Sequence, residues 1–334
     1  MPVQSGAEGS SNYRSGFAAL IGRPNVGKST LLNKLVGEKL AIVSPKPQTT
    51  RSKILGVVTR PEGQVAFLDT PGIHAAKGPL NKMMVELALQ AAKDADVVLF
   101  LIEAAGKRED QVVEVGEGNR MVLTELARLR KPTVLVVNKI DNVMKPLLLP
   151  LIDAYRKEFP FTEVVPVSAL KGDNVDTLFK LVISLMPQAE AMYPAEMLTD
   201  QAEKVLVAEY IREQVLRHTR QEVPYSAAVV INDFDESERD TVRTPKKGKK
   251  SQATRGGVTG LVRIDASIFV ERDSQKAIVI GKGGLMLKEI GSDARRSIER
   301  LLGAHVFLAL QVKVAEGWSE SPAGLAKMGY ASDR

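Results

Sequence analysis

The chain has 334 residues, a formal net charge of +6, 5% aromatic residues and no cysteine. The length exceeds one ordinary core and predicts two domains, while the missing cysteines exclude disulfides, thiolate nucleophiles and Cys-ligated zinc, and three histidines argue against a His-rich metal centre. The basic balance points to a polyanionic partner: residues 201–334 hold 22 Lys and Arg against 18 Asp and Glu, a surplus of four in less than half the chain, which puts the hint of nucleic acid in the C-terminal part.

Residues 1–16, MPVQSGAEGSSNYRSG, read as a disordered tail and lack the basic start and apolar stretch of an export signal. The longest apolar run, residues 97–102, falls far short of the roughly 18 residues of a membrane span. The expectation is a cytoplasmic protein.

Over residues 17–186, short apolar runs alternate with helical patterns. Residues 17–21, 65–68, 97–102, 134–137 and 164–167 predict buried parallel strands, and 54–59 an edge strand. Residues 28–36, 80–92, 120–129 and 174–186 carry apolar residues at helical spacing. The alternation predicts an α/β, doubly wound sheet that binds its ligand outside the carboxyl ends of the strands.

Within it, Gly22-Arg23-Pro24-Asn25-Val26-Gly27-Lys28-Ser29 fits the phosphate-loop pattern between a strand and a helix, with Thr30 next in line. Glycines let backbone N–H groups wrap a phosphate, the helix N-terminus adds positive potential, Lys28 reaches the β and γ phosphates, and Ser29 ligates Mg²⁺. The loop alone does not distinguish ATP from GTP. Asn138-Lys139-Ile140-Asp141 does, because the Asp141 carboxylate can accept two hydrogen bonds from guanine that adenine cannot offer, and a site built on such bonds rejects the wrong base by roughly 10⁴ to 10⁵. Downstream, the Ala169 N–H of Ser168-Ala169-Leu170 is positioned for guanine O6.

Two loops are expected to respond to the γ phosphate. In Asp69-Thr70-Pro71-Gly72, Asp69 holds Mg²⁺ through water and the Gly72 N–H meets the phosphate; in Pro47-Gln48-Thr49-Thr50-Arg51, Thr50, or failing it Thr49, completes the Mg²⁺ shell. Ras-like enzymes place a water-orienting glutamine after this glycine, but here the residue is Ile73. His74 beside it reads as a bystander. Asn25 suggests other help: its side-chain oxygen could join phosphate oxygens around K⁺, although the same residue suits plain support of the loop turn.

Pro187 closes the last helix, and residues 187–201 read as a linker. A mixed α+β pattern follows, with helices over 202–218 and 285–302 and strands over 225–231, 261–270 and 306–314. Residues 233–257, an acidic run and then a basic one, read as a flexible insertion, with its basic part over about 237–257. Gly281-Lys282-Gly283-Gly284 opens a helix as a GxxG loop that a nucleic-acid backbone can approach closely. By pattern alone residues 275–280 predict a strand, whereas a K-homology (KH) fold calls for a short helix capped near Ser274; the helix is the expectation taken here. Few aromatics favour backbone clamping over stacking.

Together GRPNVGKS, PQTTR, DTPG, NKID, SAL, TRQEVPYS (219–226) and VIGKGG make the chain resemble the Era family of bacterial GTPases over residues 15–330. The resemblance implies a GTPase domain over 17–186 and a type II KH domain over 202–330. Asn138 is then expected at guanine N7 and Lys139 along the base. It also implies GTP and GDP as ligands, Mg²⁺ as cofactor, and binding of 16S ribosomal RNA near its 3′ end in assembly of the small (30S) subunit. RNA contacts are expected at Gly281, Lys282, Gly283, Gly284 and Lys288, then Arg295 and Arg296. A monomer is expected, with peripheral contact at the inner face of the membrane by family precedent. The competing expectations are an RNA-binding module gated by nucleotide, or a signalling GTPase, in which hydrolysis is incidental.

Overall fold

In the computed structural model, which describes residues 13–46, 48–74, 78–104, 114–219, 223, 226–240 and 260–330, the first strand buries both its faces. Ala18 and Leu20 of β1 (Arg14–Gly22) enter one apolar cluster, and Ala19 and Ile21 enter another. Such a strand needs a helical layer on either side. The chain supplies these layers and the rest of the sheet as α1 (Lys28–Val36), β2 (Ile54–Arg60), β3 (Gly63–Asp69), α2 (Pro79–Asp94), β4 (Val97–Glu103), α3 (Glu117–Leu129), β5 (Thr133–Asn138), α4 (Leu148–Glu158), β6 (Glu163–Pro166) and α5 (Val175–Leu185). The sheet order is β2-β3-β1-β4-β5-β6, with β2 antiparallel to β3 and the other pairs parallel. Leu31 and Leu32 of α1 and Phe179 of α5 pack on one face; Ala88 of α2, Val122 of α3 and Leu151 of α4 pack on the other. β3 and β4 flank β1 on opposite sides, so strand order reverses at β1 and a crevice opens outside its carboxyl end.

By its contacts the chain divides into a first unit, Met1–Ala41, Thr50–Ala76 and Met84–Asp200, and a second, Ile42–Thr49, Lys77–Met83 and Gln201–Arg334. The second unit carries α6 (Glu203–His218), β7 (Ala228–Glu238), β8 (Leu261–Val270), α7 (Asp273–Ile280), α8 (Leu285–Leu302), β9 (His305–Val314) and α9 (Pro322–Lys327). β8 pairs antiparallel with β7 and parallel with β9. Ile211 of α6, Val279 of α7 and Ile290 and Ile298 of α8 share one core with Val262 and Ile264 of β8 and Val306 and Val312 of β9. The order αββααβ is the expected type II KH arrangement.

The structure corrects four expectations. The tail ends earlier than residue 16, because Arg14, Ser15 and Gly16 pair with Gly63, Gln64 and Val65 of β3; paired backbone needs no apolar side chain. A helix, α4, fills residues 148–158, where none is predicted: Pro150 breaks the apparent pattern yet lies in the first turn, whose N–H groups need no intrahelical partner. The acidic residues 233–238 belong to β7 rather than to an insertion, with Phe234 packed on the core while Asp233 and Glu236 face out. The helix over 273–280 starts before Ser274, and Gln275 Oε1 accepts the N–H groups of Glu271 (2.9 Å) and Arg272 (3.1 Å). Residues 1–12 of the predicted tail, Pro47, 241–257 of the predicted insertion with residues 258 and 259 after it, and 220–222, 224 and 225 of the TRQEVPYS stretch lie outside the described residues.

The expected linker is held against the first unit through residue 198. Gln64, fully buried, accepts the N–H groups of Met192 (2.8 Å) and Tyr193 (2.9 Å) at Oε1 and donates through Nε2 to Tyr193 O (2.8 Å). Val57 N–H of the edge strand donates to Leu198 O (2.8 Å).

Candidate nucleotide site and nucleic-acid groove

The loop after β1 turns into α1 with Asn25 in a left-handed conformation, φ 65°, and Lys28 as the first helical residue. Lys28 is buried, and its Nζ donates to Gly22 O (3.3 Å) and Arg23 O (3.1 Å). Burial lowers its pKa to about 8, against the pull of the Asp69 charge. The Arg23 side chain lies against Gly118 at the start of α3, so the loop uses its backbone carbonyl. Thr30 sits in the first turn of α1.

Ser29, Thr50 and Asp69 converge here from α1, the loop before β2 and the end of β3. Ser29 Oγ donates to Asp69 Oδ2 (2.6 Å), and Thr50 Oγ1 lies 2.9 Å from Ser29 Oγ and 3.5 Å from Asp69 Oδ2. Asp69 is fully buried, and its Oδ1 has no hydrogen-bond partner among the described residues. Burial pushes its carboxyl up to about 6, while the Lys28 charge and the Ser29 hydroxyl hold it down. Thr49 turns elsewhere, its Oγ1 donating to Lys46 O (2.7 Å). An unpartnered buried carboxylate oxygen beside two hydroxyls is a hard-oxygen donor set that fits Mg²⁺.

Thr70 Oγ1 donates to Leu20 O (2.7 Å), and Ile73 N–H donates to Gly22 O (3.0 Å), so the loop after β3 is tied to the phosphate loop. Pro71 is buried between them. Gly72 allows the approach: a Cβ there would stand 2.5 Å from Pro24 N. Ile73 is 1% exposed and packs in the sheet core, so it offers the site no polar group. His74 Nδ1 lies 2.9 Å from Gly72 O.

The loops after β5 and β6 meet the phosphate loop through Asn138. Its Nδ2 donates to Val26 O (2.8 Å), and its Oδ1 accepts the Ala169 N–H (3.0 Å), the same N–H that the sequence directs at guanine O6. Asn138 is thus a strut between three loops. Ser168 Oγ donates to Asp141 Oδ1 (2.7 Å), and that hydrogen bond holds the Asp141 carboxyl below the usual range. Lys139 adopts φ 65°, and its Nζ lies 2.9 Å from Glu103 Oε2. Glu103, which no motif marks, ends β4 opposite Asn138 in the strand register. Leu170 is 75% exposed at the lip.

In the second unit, Lys282–Gly284 form a tight turn between α7 and α8, and Gly281, Gly283 and Gly284 all have positive φ, which leaves Lys282 exposed at the tip. Behind it a groove of ≈ 420 Å³ runs between α8 and β9, with Gly284, Lys288 and Arg295 among its lining residues. Arg296 is not among them; its guanidinium pairs with Asp293, which also meets His218 Nε2 at 2.8 Å.

A family model described as 50S ribosome-binding GTPase matches residues 17–139, and a KH domain model matches residues 222–319. A protein named GTPase Era from Geotalea uraniireducens is 49% identical over 95% of this chain and 98% of its own length, and one from Geobacter metallireducens is 48% identical with the same coverage. Two solved structures cover 96% of this chain and all of theirs at 41% identity: a variant of Aquifex aeolicus Era bound to GDP.AlF4-, TM-score 0.82, and Era in complex with MgGDPNP and nucleotides 1506–1542 of 16S ribosomal RNA, TM-score 0.83. With a GTPase unit ahead of a KH unit and relatives of this similarity along nearly its whole length, the chain belongs to the Era family of GTPases.

Proposed function

We propose that this GTPase is a Mg²⁺-dependent switch in which GTP on the first unit sets the affinity of the second for 16S ribosomal RNA near its 3′ end, and hydrolysis times release during small-subunit assembly. The observation that carries this reading is the buried Asp69 carboxylate, one oxygen bonded to Ser29 and the other without a partner, beside Thr50. Ser29 and Thr50 would ligate Mg²⁺ directly and Asp69 through water. The ion, when bound, neutralises charge developing on the transferred phosphoryl group. Lys28 binds the β and γ phosphates, Gly72 N–H meets the γ phosphate, and Asp141 accepts from the guanine edge while Lys139, fixed by Glu103, lies along the base. The Ala169 N–H is shared between Asn138 and guanine O6. The RNA half of the reading is supported by the exposed Lys282 loop and by the solved relative that holds a 16S fragment. Replacing Lys282 by Asp should abolish binding of that fragment and spare GTP binding; RNA affinity that survives the change would refute the assignment of this loop.

No described helix is long and apolar enough to cross a membrane, so contact with one is peripheral in this reading, and the working form is a cytoplasmic monomer. Because Ile73 brings no polar group to the attacking water, help must come from elsewhere, and Asn25, exposed in the phosphate loop, is the residue we assign to holding K⁺ against the phosphates. Turnover in matched K⁺ and Na⁺ buffers should favour K⁺ and lose the preference in Asn25→Ala; equal rates in the native protein remove K⁺ from the scheme. The same buried Ile73 favours a second reading, a module gated by GTP binding with hydrolysis incidental. RNA release that is equal with GTP and a non-hydrolysable analogue would select it.

A further inference from the structure

Residues 210–216 of α6 are all buried, so for two turns this helix is covered on every side. Val207, Ile211 and Val215 enter the apolar core shared with β8 and α8, which accounts for one face. Between them the helix presents Arg212, 1% exposed, and Glu213, fully buried, and buried charges persist only where they are bonded. Glu209 takes part of the Arg212 guanidinium, at 2.8 Å from Nε and 2.6 Å from Nη2. The remaining bonds go to a stretch far away in sequence.

Within the second unit, Ile42–Thr49 is fastened to α6. Ile42, 1% exposed, enters the same apolar core as Ile211. Glu213 Oε1 accepts the Val43 N–H (3.0 Å) and Arg217 Nη2 (3.1 Å), and Arg217 Nη2 also donates to Val43 O (3.3 Å). Lys46 Nζ donates to Thr219 O just past the end of α6, and Arg212 Nη2 donates to Thr49 O. These bonds grip main-chain atoms near both ends of the stretch. The carbonyl held by Arg212 belongs to the same peptide group as the Thr50 N–H. β2 begins at Ile54, so Thr50 sits in a short span tied at either end. There its Oγ1 lies 2.9 Å from Ser29 Oγ and 3.5 Å from Asp69 Oδ2. A reacting group misplaced by about 1 Å can cost on the order of a hundredfold, so what holds Thr49 matters to what Thr50 does.

We propose that Arg212 and Glu213 are positioning residues for the GTPase reaction: by fastening the main chain of residues 42–49 to α6, they set the Thr50 hydroxyl where the Mg²⁺ of GTP needs it. The inference rests on the reading of Thr50 as a Mg²⁺ ligand given above, and adds that side chains of the second unit supply part of the order of the nucleotide site. Because Thr50 serves the form that carries a γ phosphate, loosening the stretch weakens GTP and spares GDP.

The test uses the full chain. Trp318, the single tryptophan and 2% exposed in the second unit, reports by its fluorescence that this unit is folded. Arg212→Met keeps the reach of the side chain and removes its bond to Thr49; Lys46→Met removes a more exposed tie and carries the test if the first variant does not fold. In calorimetry with Mg²⁺, a non-hydrolysable GTP analogue should bind Arg212→Met about tenfold more weakly, the loss of one charge-assisted bond, while GDP affinity stays within about twofold of native. Lys46→Met should shift the ratio of the two affinities in the same direction. Glu213→Leu should behave like Arg212→Met, whereas Glu213→Gln, which keeps an acceptor for the Val43 N–H, should stay near native. Without nucleotide or Mg²⁺, amide hydrogen exchange across residues 42–53 should quicken in Arg212→Met and Glu213→Leu but not in Glu213→Gln. Analogue and GDP affinities that fall together, or an unchanged ratio in variants with native Trp318 fluorescence, overturn the positioning role. Thr50→Ala checks the reading beneath it. If that variant keeps the native ratio, Thr50 is not the ligand and both fall; if it loses the ratio while the folded α6 variants keep it, only the present inference fails.

Discussion

Asp141 is the residue to which we assign the choice of nucleotide, and its environment has a consequence for pH. Its carboxyl lies below the ordinary value chiefly because Ser168 donates to it, with the nearby charges of Lys171 and Lys139 adding to the effect. For a depressed carboxyl the ionised form persists to lower pH, and the acceptor function needed for guanine N1–H and the exocyclic amine is present above the folded pKa and lost as pH falls through it. Ser168→Ala removes the largest cause, so the Asp141 titration followed by carbon NMR should move up toward the usual aspartate value, and the acid limb of GDP affinity should move up with it. An unmoved titration would mean that the hydroxyl is not what holds the carboxylate. Asp141→Asn goes further: it replaces an acceptor by a mismatched donor, and calorimetry should show GTP affinity falling by roughly a hundredfold, the cost of two charge-assisted bonds. ATP affinity should gain little, since adenine offers no donor at those places.

At the scale of elements, the stretch between the two units is where bonding outruns sequence pattern. Residues 187–200 contain prolines and no periodicity, and they are held by backbone bonds to Gln64 and to β2 rather than by an apolar face. Gln64→Leu keeps the volume and removes all three of these side-chain bonds while stranding the Met192 and Tyr193 N–H groups. The expected loss is about 2 to 4 kcal/mol in chemical unfolding, because buried partners left unpaired cost more than the bonds contribute. Limited proteolysis should then cut near residues 190–195, and cleavage no faster than in the native chain would show that the strap is held by other means. The same physics explains which elements were legible. α1 and α8 begin at glycine loops and repeat apolar residues every three to four positions, so both coincide with their predicted bounds of 28–36 and 285–302. α4 was hidden by Pro150, harmless in a first turn, and the outer half of β7 by carboxylates that face away from the core, which read as a charge run. Ser29, Thr50 and Asp69, from three motifs far apart in the sequence, lie within hydrogen-bond reach of one another, as do Asn138 and Ala169. Glu103 and the Asn138 strut were not readable, since one depends on the register of β4 against β5 and the other on where three loops converge.

For the whole molecule, the claim that GTP governs RNA binding is a claim about free energy linking two ligands, and such coupling must be equal in both directions. The loop residues Thr50 and Gly72 belong to the first unit and Lys282 to the second, so a nucleotide can influence RNA only by changing the relative stability of forms that bind RNA differently. If a non-hydrolysable GTP analogue and GDP change the Kd for the 16S fragment by some factor, the fragment must change the ratio of analogue to GDP affinity by the same factor, about 5- to 150-fold for a typical allosteric protein. Calorimetry of nucleotide with and without RNA, beside anisotropy of RNA with each nucleotide, closes this cycle. Equal factors would identify a binding-driven switch in which hydrolysis only resets the ratio. A factor of one in both directions, together with RNA release that still requires turnover, would mean that the two units are coupled through the reaction itself, because an equilibrium ligand with no differential affinity shifts nothing however tightly it is held.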